Sequence, residues 1–488
     1  MTLPLPRSEF VRRGLFALAP VVLILLATAA SATASTRQET ILQDDRLFGD
    51  PGRQVEALDT ADSLGIDTIH TVVVWSTLAP RPTASRKPSG FNGADLGDYD
   101  EEKWDRFDDL VRGAQARGID LLLSPSTPAP KWASECRRKT STCDPSPKEY
   151  QAFFTAVVKR YNGRTRDENQ GGGLLPKVDR LSVLNEPNLG SWLSPSSQAP
   201  AMYRDLVYAA EKALRSGRQP RAQLLISEAA PIRSLIFYQR LFCIDSRGRA
   251  LDGGQARRAG CTPRRRIKRL KATGIAHHPY SRGGEPPFKR RGSSDITLRY
   301  MDRLKTVLDQ AAKAGAIKRN IPQYSTEFGI ASDPPSESFG VAPTIQAREL
   351  NHSEFVTYEN KSVRAFAQFQ LSDDTNIGQG TDPVNFQTGL RFGSGEEKPA
   401  FAAFRMPIYV TRAGNRARVW GGVRPGAGSR VDIQTESNGT FTTVTTVTVD
   451  RYGYIDENID TPRGKVRLRW TAPNGQEFTS REANIDRP

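Results

Sequence analysis

The sequence predicts an α/β fold, a (β/α)8 (TIM) barrel followed by a small all-β sandwich, and three observations carry that expectation. A short apolar or β-branched run, a loop and an amphipathic helix recur from residue 41 to about residue 375. Eight such runs fit a closed parallel sheet ringed by helices. After about residue 404 the pattern changes to period-two alternation, broken by turns rich in Gly, Pro and Asn. The length agrees, since 488 residues exceed what one hydrophobic core organises.

The eight runs, in order, are Ile41–Phe48, Thr68–Trp75, Asp120–Ser124, Leu181–Asn185, Leu224–Ser227, Gly274–His278, Gln323–Phe328 and Ala365–Leu371. Helical spacing appears between them at Val55–Leu64, Glu102–Ala116, Pro147–Tyr161, Ala201–Ser216, Ile232–Phe242, Leu298–Ala314 and Thr344–Asn360. A doubly wound open sheet is disfavoured because no Gly-rich phosphate loop follows the first run. Ser429–Thr435, Thr440–Asp450, Tyr452–Ile459 and Lys465–Thr471 alternate as antiparallel strands do. The expected organisation is residues 1–34 as a signal peptide, 35–404 as a catalytic barrel and 405–488 as an immunoglobulin- or fibronectin-III-like accessory domain.

Export is read from the N-terminus. Arg7, Arg12 and Arg13 precede an apolar stretch from Gly14 to Ala30, and Ala30-Ser31-Ala32 and Ala32-Thr33-Ala34 offer small-x-small cleavage sites. An uncleaved anchor is the alternative, but about 17 residues interrupted by Pro20 is short for a span. The expected location is therefore outside the cell or on its surface, where disulfides persist. Pairing Cys136 with Cys143 and Cys243 with Cys261 is the simplest of the three possible connectivities. No Cys has a Cys or His at two-to-four spacing, so no metal is expected, and no cofactor either. Charged residues at 25% exclude wholesale disorder, and a mean hydropathy of -0.52 excludes a polytopic membrane protein.

A barrel of this kind carries its site at the C-terminal ends of its strands. The fourth run closes on Asn185-Glu186-Pro187, the sixth on His278-Pro279-Tyr280 and the seventh on Thr326-Glu327-Phe328-Gly329. Two carboxylates facing one another across a pocket are what glycoside hydrolysis requires. These three motifs, in this strand order, resemble the clan A retaining glycoside hydrolases, cellulase-like families such as 5 and 39, over roughly residues 41–404. The resemblance implies Glu186 as general acid/base and Glu327 as nucleophile. It implies that Asn185 bonds the sugar 2-hydroxyl, that Tyr280 donates to Glu327 and that His278 lines the site. Donors around Glu327 are expected to keep its pKa low. His277, its neighbour, is expected to face the barrel wall. Two departures point to a less typical branch of the clan. His70 stands late in strand two where family 5 carries Arg, and Phe369 begins the end of strand eight where many members place Trp.

Trp75, Trp132 and Trp192 follow predicted strand ends, where aromatic faces could stack on sugars, so Trp75 and Trp132 join the candidate substrate-binding set. Trp104 has core spacing with Phe107 and Leu110. The net charge of +15 is concentrated: ten Lys or Arg and one Asp lie between Arg247 and Lys271, and Arg282, Lys289, Arg290 and Arg291 follow the sixth motif. An anionic glycan or cell surface is one partner this suggests, and a solvated Arg-rich surface is the plainer reading. Nucleic acid is disfavoured, since no recognition module accompanies the charge. The expectation is an exported retaining hydrolase of a β-linked oligo- or polysaccharide. A catalytically inactive glycan-binding or cell-surface protein and a transglycosylase are the alternatives on the same barrel.

Overall fold

The computed structural model describes residues 38–168, 172–261, 267–281, 292, 294–337, 339–374, 386–460 and 464–485. The signal segment, Arg264–Arg266 and the basic residues 282–291 lie outside them. Eight parallel strands form the barrel: β1 Glu39–Gln43, β2 Thr68–Val74, β3 Asp120–Ser126, β4 Arg180–Val183, β5 Gln223–Ala229, β6 Gly274–His277, β7 Gln323–Ser325 and β8 Ala365–Phe369. Neighbours pair in sequence order, and β8 returns to β1 through five residue pairs. Closure between β7 and β8 is made by Gln323, whose amide donates to Ser362 and whose carbonyl accepts from Arg364, each at 2.8 Å.

Several strands end earlier than their apolar runs. The first run breaks after Gln43, because the buried Asp44 carboxylate accepts from the Leu47 amide at 3.2 Å and starts a helical turn over Asp45–Phe48. The fourth ends at Val183 because Leu184 takes a left-handed backbone (φ 56°). The helices follow the predicted spans closely, as at Pro147–Arg160 and Pro343–Glu359, each with Pro in its first turn.

The barrel interior is layered by the two-residue period of its strands. At the floor, Arg180 donates to Glu39 at 2.8 Å and lies over the Tyr324 ring. Above it Ile41, Leu122, Leu225, Ala276, Ala365 and Ala367 pack about Tyr324 as two small apolar clusters. Two residues further along β3, and past Ala276 at the end of β6, come Ser124 and His278. The third layer is therefore polar, and it forms the base of the site.

The C-terminal region forms two antiparallel sheets. β9 Ile408–Ala413, β10 Arg416–Gly422 and β13 Tyr454–Ile459 make one. β11 Arg430–Ser437, β12 Thr440–Thr448, β14 Lys465–Thr471, β15 Glu477–Thr479 and β16 Ala483–Asn484 make the other. Val410, Val419, Ile433, Ile455, Leu468 and Trp470 fill the space between them. β9 and β10, joined through Gly414 (φ 64°), were not among the predicted strands. Over the described residues, the barrel and the two sheets form one compact unit. The barrel helix Pro343–Glu359 provides the junction. Its Phe355 and Tyr358 pack with Tyr409, Trp420 and Tyr454 of the sheets. Beside them the fully buried Glu354 pairs with Arg424 and accepts from Tyr454 Oη at 2.5 Å.

A buried ion pair costs little when complete and much when halved. Glu354→Ala strands the Arg424 guanidinium and is expected to lower unfolding free energy by about 3–5 kcal/mol. Arg418, whose contacts to Glu359 and Asp456 are partly solvated, should cost under about 1 kcal/mol when changed to Ala. Denaturant unfolding of both variants checks the ranking, and equal losses would contradict it.

Candidate active site

Strand ends bring the predicted carboxylates together. The left-handed residues Leu184 and Glu186 (φ 56° and 40°) turn the chain sharply after β4, where Glu186 meets His278. Such backbone costs on the order of 1–3 kcal/mol per residue and persists only when its surroundings impose it. Those surroundings are visible. Tyr203 accepts from the Ser227 amide at 2.5 Å and donates to the Val183 carbonyl at 2.8 Å, pinning β4 to β5. Asn188 donates to the carbonyls of Ala230 and Ile232 and accepts from the Ala230 amide, all within 3.0 Å.

His278 lies between the two carboxylates. Its Nδ1 is 3.2 Å from Glu186 Oε1 and 3.5 Å from Glu327 Oε2. Tyr280 donates to Glu327 Oε1 at 3.0 Å. The side chain of Glu186 is 17% exposed, that of Glu327 8% and that of His278 not at all. One oxygen of each carboxylate and a ring nitrogen of His278 lie within 4.8 Å of one another. Among the described residues this is the one group of His, Cys, Asp and Glu gathered closely enough to hold a metal ion. His278 can itself supply the positive charge that such a cluster would otherwise draw from an ion.

The electrostatics correct one expectation. Burial pushes the Glu327 carboxyl up, to about 7, and outweighs the His278 imidazolium and the Tyr280 hydroxyl that favour its charged form. Donor count alone had suggested a depressed value. His278 behaves oppositely. Burial opposes its charge, but the Glu327 and Glu186 carboxylates raise it to about 9. His277 points away, bonding the Ile296 carbonyl at 2.7 Å, and burial lowers it to about 3.

Asn185 is buried beside Glu186. Its amide N–H donates to Ser126 Oγ at 2.9 Å, and its Oδ1 has no partner among the described residues. The tryptophans are a correction. Trp75 is 1% exposed and stacked on Phe153 at 5.3 Å, and Trp132 is 6% exposed with its indole N–H on the Pro80 carbonyl. The segment Pro80–Asp100 folds over Trp132, setting Phe91 edge-on at 5.7 Å and Lys87 above the ring. Neither indole presents an open face for a sugar. Trp192 is half-buried, and Trp104 is core. Both predicted disulfides are present, Cys136–Cys143 and Cys243–Cys261. Of the basic stretch, Arg249 pairs with Asp245 at 2.7 Å, so part of that charge is neutralised locally.

Sequence reasoning missed a third strand-end carboxylate. Glu228 follows the left-handed Ser227 and is itself left-handed (φ 98° and 41°), at a bulge between β5 and β6. It is fully buried beneath the site, bonded by Ser124 Oγ at 2.7 Å and 3.3 Å from His70 Nε2. Burial would raise its pKa, but His70, His278 and Ser124 hold it down at about 2. The signal was an acidic residue closing an apolar run, the same one that marked Glu186 and Glu327.

No family model matches the chain, and no curated relative does. Solved structures do match in shape. A glucosidase from Croceicoccus marinus aligns with a TM-score of 0.52 at 11% identity, over 88% of this chain and 94% of its own. GH5_18 from Streptomyces cattleya, solved with GlcNAc, aligns with a TM-score of 0.50 at 14% identity, over 76% of this chain and 79% of its own. The architecture expected from the sequence and the likeness in three dimensions thus agree: the chain has a (β/α)8 barrel followed by a β domain, the fold it shares with these two solved structures.

Proposed function

We propose that the protein is an exported retaining glycoside hydrolase acting on a β-linked oligo- or polysaccharide. One observation carries the reading: Glu186 and Glu327, from the ends of β4 and β7, bring carboxylate oxygens within 4.8 Å of one another. Retaining enzymes hold their carboxyl groups about 5–5.5 Å apart, and inverting ones about 6.5–9.5 Å, to admit water between. The close approach of the nearest oxygens is compatible with the shorter, retaining arrangement, and we read the pair as one for double displacement. Glu186, the more exposed, gives its proton to the leaving oxygen while Glu327 attacks the anomeric carbon. The glycosyl ester on Glu327 is then hydrolysed by water, whose proton returns to Glu186. Tyr280 and His278 orient Glu327 and stabilise its charge. The free Oδ1 of Asn185 is placed to accept from a sugar hydroxyl. Two disulfides support a life outside the cell, and no described helix is long and apolar enough to cross a membrane.

Aryl β-glycosides and β-glucan, xylan and mannan panels test the reaction. Glu327→Ala is expected to lower kcat by at least ~10³-fold with folding intact. Azide should then restore turnover by entering from the vacated face, giving the glycosyl azide of inverted configuration. Full activity in Glu327→Ala would exclude it as nucleophile, and binding of glycans without turnover would favour the inactive alternative. Transfer to sugar acceptors in place of water would favour the transglycosylase.

The pH profile follows from Glu327. The nucleophile must be ionised, and burial raises its pKa to about 7, so kcat/KM should fall as pH drops through that value. An acid limb at the ordinary carboxylate range, near pH ~4.3, would contradict it. EDTA should leave the rate unchanged, since two carboxylates suffice for the chemistry.

A further inference from the structure

Three buried groups directly beneath the carboxylate pair take no part in the chemistry above. They are His70 on β2, Ser124 on β3 and Glu228 at the end of β5, each fully buried. Their contacts constrain where protons can sit. His70 Nδ1 lies 3.2 Å from the Thr326 carbonyl, which can only accept, so Nδ1 carries a proton. His70 Nε2 lies 2.9 Å from Ser124 Oγ and 3.3 Å from Glu228 Oε1. Ser124 Oγ lies 2.7 Å from that same carboxylate oxygen.

Ser124 has one proton to give. If it goes to Glu228, Nε2 must donate to Ser124. If it goes to Nε2, Glu228 must be protonated and donate to Ser124. A neutral imidazole beside an ionised carboxylate would leave two lone pairs opposed across one hydroxyl in either orientation, at a fully buried site. The triad therefore retains one proton more than a separate imidazole and carboxylate would hold at neutral pH. The 3.3 Å approach of Nε2 to Oε1 is attractive only when the nitrogen bears hydrogen, which selects imidazolium and carboxylate.

We propose that His70, Ser124 and Glu228 form a buried proton-holding triad whose imidazolium is a permanent positive charge behind the nucleophile strand, making His70 a positioning residue for Glu327. The hydrogen bond falls on Thr326, the residue before Glu327, so the cation is tied to the backbone that carries the carboxylate. The charged groups facing His70 are Glu228 from β5 and Asp45 after β1, which favour its charge, His278 from β6, which opposes it, and Glu327 from β7, which it helps to ionise. The role toward Glu327 rests on reading that residue as the nucleophile, whereas the protonation of the triad does not.

The full chain has four histidines, so 15N-histidine labelling gives a readable spectrum. At pH 8 an ordinary imidazole, with a pKa near ~6.5, is almost wholly neutral. Both ring nitrogens of His70 are expected to show protonated shifts there. The signals are assigned by their loss in His70→Gln or, if that variant does not fold, by their displacement in Ser124→Ala. An unprotonated Nε2 at pH 8, with the extra proton on Glu228, would overturn the fixed charge. In kinetics, His70→Gln should move the acid limb of kcat/KM upward by about one pH unit. A uniform loss of kcat with the limb unmoved would reduce His70 to a structural role and overturn the proposal. Protonated His70 in a protein that turns over no glycoside would support the triad and sink the hydrolase reading instead.

Discussion

Everything at the mouth of this barrel is arranged around one buried imidazole held between two carboxylates. His278 has no exposure, and both Glu186 and Glu327 reach it within 3.5 Å. Two carboxylates this close and this dry repel one another, and burial alone would drive one of them to protonate. The imidazolium makes their approach tolerable, and the approach is what the proposed chemistry needs. Strain follows from the same requirement. Left-handed backbone at Leu184, Glu186, Ser227 and Glu228 marks two of the three strand ends that carry these carboxylates. Tyr203 and Asn188 hold those ends in place by hydrogen bonds to both.

In the proposed reaction, the division of labour between the carboxylates is one of depth. Glu186 keeps part of its surface in the cleft, where a leaving group can be reached, while Glu327 sits deeper under Tyr280 and against Phe328, whose ring stacks with that tyrosine at 6.0 Å. Depth makes Glu327 a reluctant anion and, once ionised, a poorly solvated and therefore reactive one. The polar layer below it belongs to the same design: an ion pair at the floor, an apolar layer above it, and then the polar layer that forms the base of the site.

Much of this was legible in the sequence because a buried strand that ends on a polar residue announces itself. Asn185-Glu186-Pro187 and Thr326-Glu327-Phe328-Gly329 are such endings, and the eight runs were found within a few residues of the strands. What failed needed information in the third dimension. Trp75 and Trp132 follow strand ends as a sugar platform would, but the chain order does not reveal that Pro80–Asp100 folds over one of them and Phe153 stacks on the other. The raised pKa of Glu327 depends on burial depth, which no motif encodes. Glu228 was readable as a third acidic strand end and was passed over because no neighbouring residue formed a motif with it. β9 and β10 escaped because six or seven residues around a tight Gly414 turn resemble the loop residues that flank them.

The junction built on helix Pro343–Glu359 has a bearing on where the molecule can be divided. Here the last sheet pair completes the outer wall of the barrel, supplying the guanidinium that Glu354 lacks and the rings that cover Phe355 and Tyr358. A barrel severed after residue 404 would carry a naked carboxylate and an oily flank along this helix. The barrel and the sheets therefore share one seam, and neither face of it is finished without the other.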